Sequence, residues 1–487
     1  MFNLQQELST NVTQRFYIDG QWVESQSNER YTLIDPATER KIFDVPLAGA
    51  ADVARAVSAA RVAFDTGPWP RMTALQRSAH LHRLADALEA RAGLHARLWT
   101  LQIGAPISLA TYLSPNGAAR VRYYADLAAH YAFEVRRPTE RGSLRVRREP
   151  VGVAALVVPW NAVLPILAHK LGAALAAGCT CIVKSPRESP LDALVLAECA
   201  HEAGIPSGVV NVITADRAES ALLVASPKVD KISFTGSFAA GKQVAIAAAD
   251  HMTRLTLELG GKSAAILLDD ADLAEVMPIL VPLTMPLSGQ FCFAQSRLLV
   301  PRSRLDEVTS TYVSIVDSLV VGDPWAASTQ IGPLLNQRQM DRTLDYIQQG
   351  HDAGARLVAG GHRSSAISRG FFIEPTVFAE VDSAMSIARE EIFGPVVTIQ
   401  AYDSDEEAIL MANDSDLGLS GTVFSQNPER AYAVATRLRT GQVGINGLDL
   451  SPDAPFGGFR KSGIGREGGP EGLEAFLETT AILMPSH

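Results

Sequence analysis

Gly152-Val153-Ala154-Ala155-Leu156-Val157-Val158 is an unbroken apolar run. A strand with one wet face alternates, so a run apolar at every position reads as a strand buried on both faces. A helical stretch follows to about Gly178, and a second apolar run, Cys181-Ile182-Val183, comes next. Ser189, Pro190 and Asp192 look like an N-cap with proline at the first helical position, opening a helix to His201 that stops at Gly204-Ile205-Pro206. Val209–Ile213 and Lys231–Phe234 read as third and fourth strands, each followed by a helix. Strand and helix alternating at this spacing predict a parallel, doubly wound sheet, which binds ligands beyond its strand ends.

Upstream, Asp19-Gly20 separates Phe16-Tyr17-Ile18 from Gln21-Trp22-Val23, a hairpin signal. Residues 51 to about 101 read as helical, and Ala74–Arg91 places Leu81, Leu84, Ala85 and Leu88 on one face. Downstream of Gly260 a second α/β series opens with a strand at Ala264–Leu268 and a helix start at Asp269-Asp270-Ala271-Asp272, continuing to about residue 460. Two segments stand outside this alternation. Glu134–Arg148 is charged and alternating, and Leu477–Met484 is strand-like; an open strand edge invites pairing with another chain.

At 487 residues the chain has room for about three domains of roughly 150 residues. It is 47% hydrophobic and 20% charged, which excludes a largely disordered or fibrous protein. With 43 basic and 53 acidic side chains its formal charge is −10, so it lacks the basic field of a nucleic-acid binder. Four cysteines, at 179, 181, 199 and 292, are too few for a disulfide scaffold and suit a reducing compartment. The uncharged windows Val151–Ala168 and Val276–Ser296 are long enough to raise a membrane question. Pro159, Pro165, Pro278, Pro282 and Pro286 remove backbone donors and break helices, so both windows are expected to be core segments. The N-terminus has no basic-then-apolar layout, and a soluble cytoplasmic protein is expected.

Four places are candidates for chemistry. Cys179, Cys181 and Cys199 read as inert core, and no CxxC or histidine ladder accompanies them, so no metal site is expected. Cys292 lies instead in a tight loop of small and polar residues, Leu287–Gln295, where a thiol is accessible as a nucleophile. Glu258, in Leu255-Thr256-Leu257-Glu258-Leu259-Gly260-Gly261-Lys262, sits at an apolar strand end. It has either a raised pKa that suits a general base or a salt bridge to Lys262 or a neighbour. Asn161 ends the first buried strand as a turn residue or an oxyanion donor, and Gly236-Ser237 opens a helix that suits a phosphate.

Together these stretches resemble the aldehyde dehydrogenase superfamily over essentially the whole chain. The resemblance rests on Pro159-Trp160-Asn161, Lys184, Phe234-Thr235-Gly236-Ser237, Glu258–Lys262, Gly289-Gln290-Phe291-Cys292, Glu390-Glu391-Ile392-Phe393-Gly394-Pro395 and Pro455-Phe456-Gly457-Gly458-Phe459, in order and spacing. It implies a thiolate at Cys292 that adds to an aldehyde carbon, with the oxyanion held by the Asn161 amide and the Cys292 N–H. Hydride loss then leaves a thioester, and Glu258 activates the water that releases the acid. It also implies a nicotinamide cofactor, with Lys184 at the adenosine ribose, Gly236 and Ser237 at the pyrophosphate, and Glu391 at the nicotinamide ribose. Val158, Pro159, Trp160, Gly241, Leu259 and Phe393 would complete that seat.

Two departures matter. Arg187 stands where NAD-preferring relatives commonly carry a glutamate. A guanidinium can pair with a 2′-phosphate, or it can bridge to Glu188 or Asp216, so NAD is expected with NADP left open. Ala162 and His169 stand where many relatives have aromatic residues, while Phe291, Phe293 and Phe456 remain as apolar lining. That suits a bulky hydrophobic aldehyde, terpenoid or aromatic. No Arg or Lys is seen to enter the pocket, which disfavours a semialdehyde acid. A cofactor-independent thiol esterase and a non-catalytic protein on the same fold are the alternatives.

The implied architecture has two doubly wound α/β domains and a small β extension. A cofactor domain spans 1–125 and 149–258, and a catalytic domain spans 259–459. Segments 126–148 and 460–487 form an oligomerisation sheet of a homodimer or homotetramer.

Overall fold

Val153–Val157 is buried at every position and runs through the middle of an eight-stranded sheet. The computed structural model describes residues 7–140 and 142–485. Thr180–Ser185 and Lys231–Thr235 flank the central strand, both parallel to it. Beyond Thr180–Ser185 lies parallel Val210–Thr214, then the N-terminal hairpin; beyond Lys231–Thr235 lies parallel Arg254–Glu258. The chain therefore steps outward twice on one side, then crosses to the other side of Val153–Val157. Loops leaving the two sides of that crossover diverge and open a crevice at the carboxyl ends of the strands. In the hairpin, Asp19 and Gly20 have φ of 56° and 74°, the paired positive values of its tight turn.

The second sheet has seven strands in the order Arg356–Ala359, Thr376–Ala379, Val396–Tyr402, Arg297–Pro301, Ala264–Leu267, Ser420–Phe424 and Gln442–Ile445. All neighbours are parallel except the first pair. A third sheet joins the two segments outside the alternation: Gly142–Pro150 pairs antiparallel with both Glu134–Thr139 and Leu477–Pro485. Within 460–487, only Leu477–Pro485 joins that sheet, because Gly463–Ile464 pairs with Leu257 and Glu258 at the edge of the first one.

Helix Val163–Ala177 is apolar nearly all round and buried, so it lies inside the molecule. Gly172 brings helix Pro115–His130 against it, since a Cβ there would stand 2.9 Å from the Tyr124 ring. That contact carries side chains of the 115–130 helix into the site.

Two local expectations are corrected. Pro190, not Ser189, is the N-cap of helix Leu191–Glu202; the Ser189 hydroxyl donates instead to the Trp160 carbonyl at 2.8 Å. Pro278 and Pro282 lie inside helix Leu273–Thr284 rather than breaking it. Both sit on its exposed face, where the carbonyls they leave unbonded meet solvent, while Val276, Met277, Leu280 and Val281 pack inward. Among the described residues no helix is long and apolar enough to cross a membrane.

Candidate active site

Cys292 follows a backbone held in an uncommon shape. Leu287, Ser288 and Gly289 have φ of 51°, 57° and 77°. For the two non-glycine residues that costs on the order of 1–3 kcal/mol each. At Gly289 a Cβ would stand 2.0 Å from the Gly394 carbonyl. Fully buried Gln290 pins the loop. Its amide nitrogen donates to the Leu287 carbonyl at 3.1 Å and the Pro333 carbonyl at 3.4 Å, and its amide oxygen accepts from Leu335 N–H at 3.0 Å. Asn161, on the loop leaving the central strand of the first sheet, donates through Nδ2 to the Gln290 carbonyl at 2.8 Å. One amide hydrogen ties the two sheets' loops together, and the second is left for a ligand.

Cys292, Asn161 and Glu258 line one cavity. Glu258 ends strand Arg254–Glu258, is 2% exposed, and neither carboxyl oxygen has a hydrogen-bond partner. Burial first, then the charge of Glu467, pushes its pKa well above the ordinary carboxylate range, against Lys170 and Arg466. Lys262 does not neutralise it: that ammonium is itself buried without a partner, and burial pushes it down to about 7. Burial, then Glu391 and Glu258, pushes the Cys292 thiol upward, against its own N–H and that of Phe293. Burial first, reinforced by the neighbouring carboxyl groups, favours the thiol form of Cys292 at rest, and the proton leaves before the sulfur adds to a carbonyl. Cys179, Cys181 and Cys199 are fully buried, and burial pushes the first and last up to about 12.

Ala162, His169, Phe291, Phe293 and Phe456 all reach the cavity. Phe291 and Phe293 stack at 4.9 Å, and Trp99 stands edge-on to Phe291 at 6.2 Å. Trp99 also donates to the Asn161 carbonyl at 2.7 Å, so it supplies an aromatic wall that the sequence reading had not placed. The expectation that no cation enters the pocket is overturned by Arg120, which lines it from helix Pro115–His130. No local motif marks Trp99 or Arg120. They arrive by helix packing across 62 and 49 residues, to Asn161 and His169. Glu467 is likewise unmarked; it pairs with Lys170 and accepts from Ser233 Oγ at 2.8 Å.

The crevice of the first sheet meets the same region. Ser237 caps helix Phe238–Ala249 by accepting from Ala240 N–H at 3.3 Å, so its first-turn N–H groups face the crevice beside Gly236. Gly241 packs that helix on Leu259, where a Cβ would stand 2.5 Å from Leu259 Cδ2. The ammonium of Lys184, near the end of its strand, has no hydrogen bond or ion pair among the described residues. Val158 and Pro159 lead to Trp160, whose ring meets Phe393 edge-on at 5.6 Å. Glu391 accepts from Gly261 N–H at 3.1 Å through one oxygen, and burial pushes its carboxyl up to about 7. An unpartnered lysine, an anion-seeking helix end and a carboxylate with a spare oxygen fit a dinucleotide with ribose hydroxyls and a pyrophosphate. Arg187 is committed elsewhere: it pairs with Asp216, donates to Glu188 at 3.2 Å and lies over the Tyr31 ring at 4.9 Å. Among the described residues no cluster of His, Cys, Asp and Glu could hold a metal ion.

The aldehyde dehydrogenase family model matches residues 22–482. The chain is 44% identical to the geranial dehydrogenase of Castellaniella defragrans over 473 residues, covering 97% of this chain and 98% of the relative. It is also 44% identical to a 3-succinoylsemialdehyde-pyridine dehydrogenase of Pseudomonas sp., covering 96% and 98%. Its fold superposes on Mycobacterium tuberculosis aldehyde dehydrogenase complexed with NAD+ at a TM-score of 0.95 and 41% identity, covering 97% of this chain and 98% of that one. Aldehyde dehydrogenase C of Pseudomonas syringae, solved with NAD+ and octanal, gives a TM-score of 0.94 at 42% identity, covering 98% and 97%. With this profile, these relatives and this fold in agreement, the chain belongs to the aldehyde dehydrogenase family.

Proposed function

We propose that this chain oxidises a bulky hydrophobic aldehyde, terpenoid or aromatic, to its carboxylic acid with NAD, through a covalent intermediate on Cys292. The observation that carries this reading is the convergence of a cysteine, an amide with a free N–H and an unpaired buried carboxyl on one largely apolar cavity. The Cys292 thiol gives its proton to solvent, and the thiolate sulfur bonds to the aldehyde carbon as the carbonyl electron pair moves onto oxygen. The oxyanion so formed takes the second Asn161 N–H and the Cys292 backbone N–H, each such donor contributing roughly 3–4 kcal/mol to lowering the barrier. NAD, when bound, supplies the hydride acceptor. The acyl group then remains on sulfur as a thioester; ionised Glu258 takes a proton from a water whose oxygen bonds to the acyl carbon, and the C–S bond breaks to release the acid and the Cys292 thiolate. The balance is aldehyde, NAD+ and water giving acid, NADH and a proton.

Val158, Pro159, Trp160, Lys184, Gly236, Ser237, Gly241, Leu259, Glu391 and Phe393 form the NAD seat. Arg187 acts on the cofactor only through Asp216 and Glu188: with both carboxylates at the guanidinium, a 2′-phosphate meets negative charge and a ribose hydroxyl meets acceptors. Two relatives are named for a branched terpenoid aldehyde and a pyridine-bearing one, which supports the substrate class. Among the described residues Leu477–Pro485 keeps one long edge unpaired and exposes Leu483 at 78%, which supports a homodimer or homotetramer. On this reading the domains follow the two large sheets, with 1–125 and 149–258 for NAD and 259–459 for catalysis, while 126–148 and, from 460–487, the strand Leu477–Pro485 serve assembly.

Initial rates with NAD and NADP across short, branched and aromatic aldehydes test the reading. Preference for the bulky aldehydes with NAD is expected, lost in Cys292→Ala. A clear preference for acetaldehyde overturns the substrate class, and turnover surviving Cys292→Ala overturns the mechanism.

A further inference from the structure

Arg120 brings a guanidinium into a cavity whose walls away from Cys292, Asn161 and Glu258 are largely rings and aliphatic groups. It is 7% exposed and lines the same cavity as Cys292. Its Nε donates to His169 Nε2 at 2.8 Å, which makes that nitrogen an acceptor and puts the imidazole proton on Nδ1. His169 is thus neutral, as burial and the adjacent cations Arg120 and Lys170 also require. The rest of the guanidinium is idle: Nη1 is buried without a hydrogen-bond partner, and Nη2 donates to nothing among the described residues. The nearest carboxylate in charge terms, Glu467, is taken by Lys170 and Ser233. Burial lowers the Arg120 pKa only to about 10, so the group is charged at neutral pH.

A buried cation held by one neutral imidazole is costly, and guanidinium N–H groups prefer carboxylate or carbonyl oxygens in forked geometry. Among the described residues no oxygen accepts a hydrogen bond from the Arg120 guanidinium. We propose that Arg120, held in place by His169, is a specificity-determining residue that receives a second oxygen acceptor on the aldehyde substrate. The preferred substrate then has an apolar body gripped by Trp99, Phe291 and Phe293, a formyl group at Cys292, and a carboxylate or ketone oxygen elsewhere on the chain at Arg120. Of these a carboxylate gains most, since it alone neutralises the guanidinium. This inference rests on the reading of the cavity as the aldehyde site.

The test uses three matched aldehydes over a series of chain lengths: the plain alkanal, the aldehyde carrying a terminal carboxylate, and the aldehyde carrying a ketone near its far end. Each is assayed with NAD on the wild type, Arg120→Met and Arg120→Lys, and kcat/KM is expressed relative to the alkanal. The wild type is expected to favour an oxygenated aldehyde at one chain length by about tenfold or more, the return on a charge-assisted hydrogen bond in a dry site. Arg120→Met is expected to lower that ratio by about 10- to 100-fold, mostly through KM, with Arg120→Lys between the two. The stronger of the two oxygenated arms tells carboxylate from ketone. Should Arg120→Met not fold, the wild-type ratios still decide. A wild type indifferent to the second oxygen, or a ratio unmoved in the variants, overturns the role of Arg120 alone. Failure to turn over any aldehyde overturns the reading beneath it as well.

Discussion

Replacing Glu258 by glutamine separates catalysis from folding with little ambiguity. The side chain is 2% exposed and neither oxygen makes a hydrogen bond, so an isosteric amide breaks no bond. Its Oε1 lies 2.6 Å from where a Cβ on Gly457 would stand, and an amide of the same shape respects that limit. Stability is expected to change by less than about 1 kcal/mol near the acid end of the folded range. Its pH dependence is expected to change in a definite direction. In the fold the carboxyl holds its proton above the ordinary value of 4.5, where the unfolded chain has released it. The folded state binds the extra proton, so this group subtracts stability as pH rises from about 4.5 through the raised pKa. Glu258→Gln has no such proton, and its unfolding midpoint falls less between acid and alkaline pH.

Turnover behaves differently. Loss of a positioned general base costs about 10²- to 10⁴-fold, and here it falls on release of the acyl group. Stopped-flow absorbance of NADH is expected to show a first-turnover burst on one sulfur per chain, followed by a nearly stalled steady state. The wild-type steady-state rate rises with pH as Glu258 ionises, and the variant loses that limb. Steady-state turnover of Glu258→Gln within about threefold of wild type refutes the base assignment.

Three further outcomes can be checked. Iodoacetamide labelling of Cys292, followed by mass spectrometry, is expected to be slow at neutral pH and to climb beyond pH 9.0; Glu391→Gln, which removes the first of its two carboxyl neighbours, is expected to shift that climb downward. Asp216→Asn keeps an acceptor for Arg217 N–H while releasing Arg187 from one of its two carboxylates, and is expected to raise the NADP-to-NAD ratio of kcat/KM about tenfold, read from initial rates. Gly289→Ala drives a Cβ to 2.0 Å from the Gly394 carbonyl at a φ of 77°. It is expected to lose about 2 kcal/mol or more in chemical denaturation and most of its activity.

Local pattern determined a great deal of this protein. Apolar runs and the residues that interrupt them predict the parallel strands, and parallel order then brings Asn161, Lys184 and Gly236 to the carboxyl ends of neighbouring strands. Cys292 and Glu258 stand out because a polar group beside apolar neighbours is costly and needs a reason. Pro278 and Pro282 misled, since proline propensity says nothing about which helical face solvent reaches. Only the tertiary structure decided what faces those groups. Trp99, Arg120 and Glu467 come from segments far apart in the chain, and their encounter with Asn161, His169 and Lys170 is set by helix packing that no short stretch encodes. The ionisation of the site belongs there too. Whether Arg187 is free, Glu258 is paired or Cys292 is a thiol depends on burial and neighbouring charge, which exist only once the sheets are assembled.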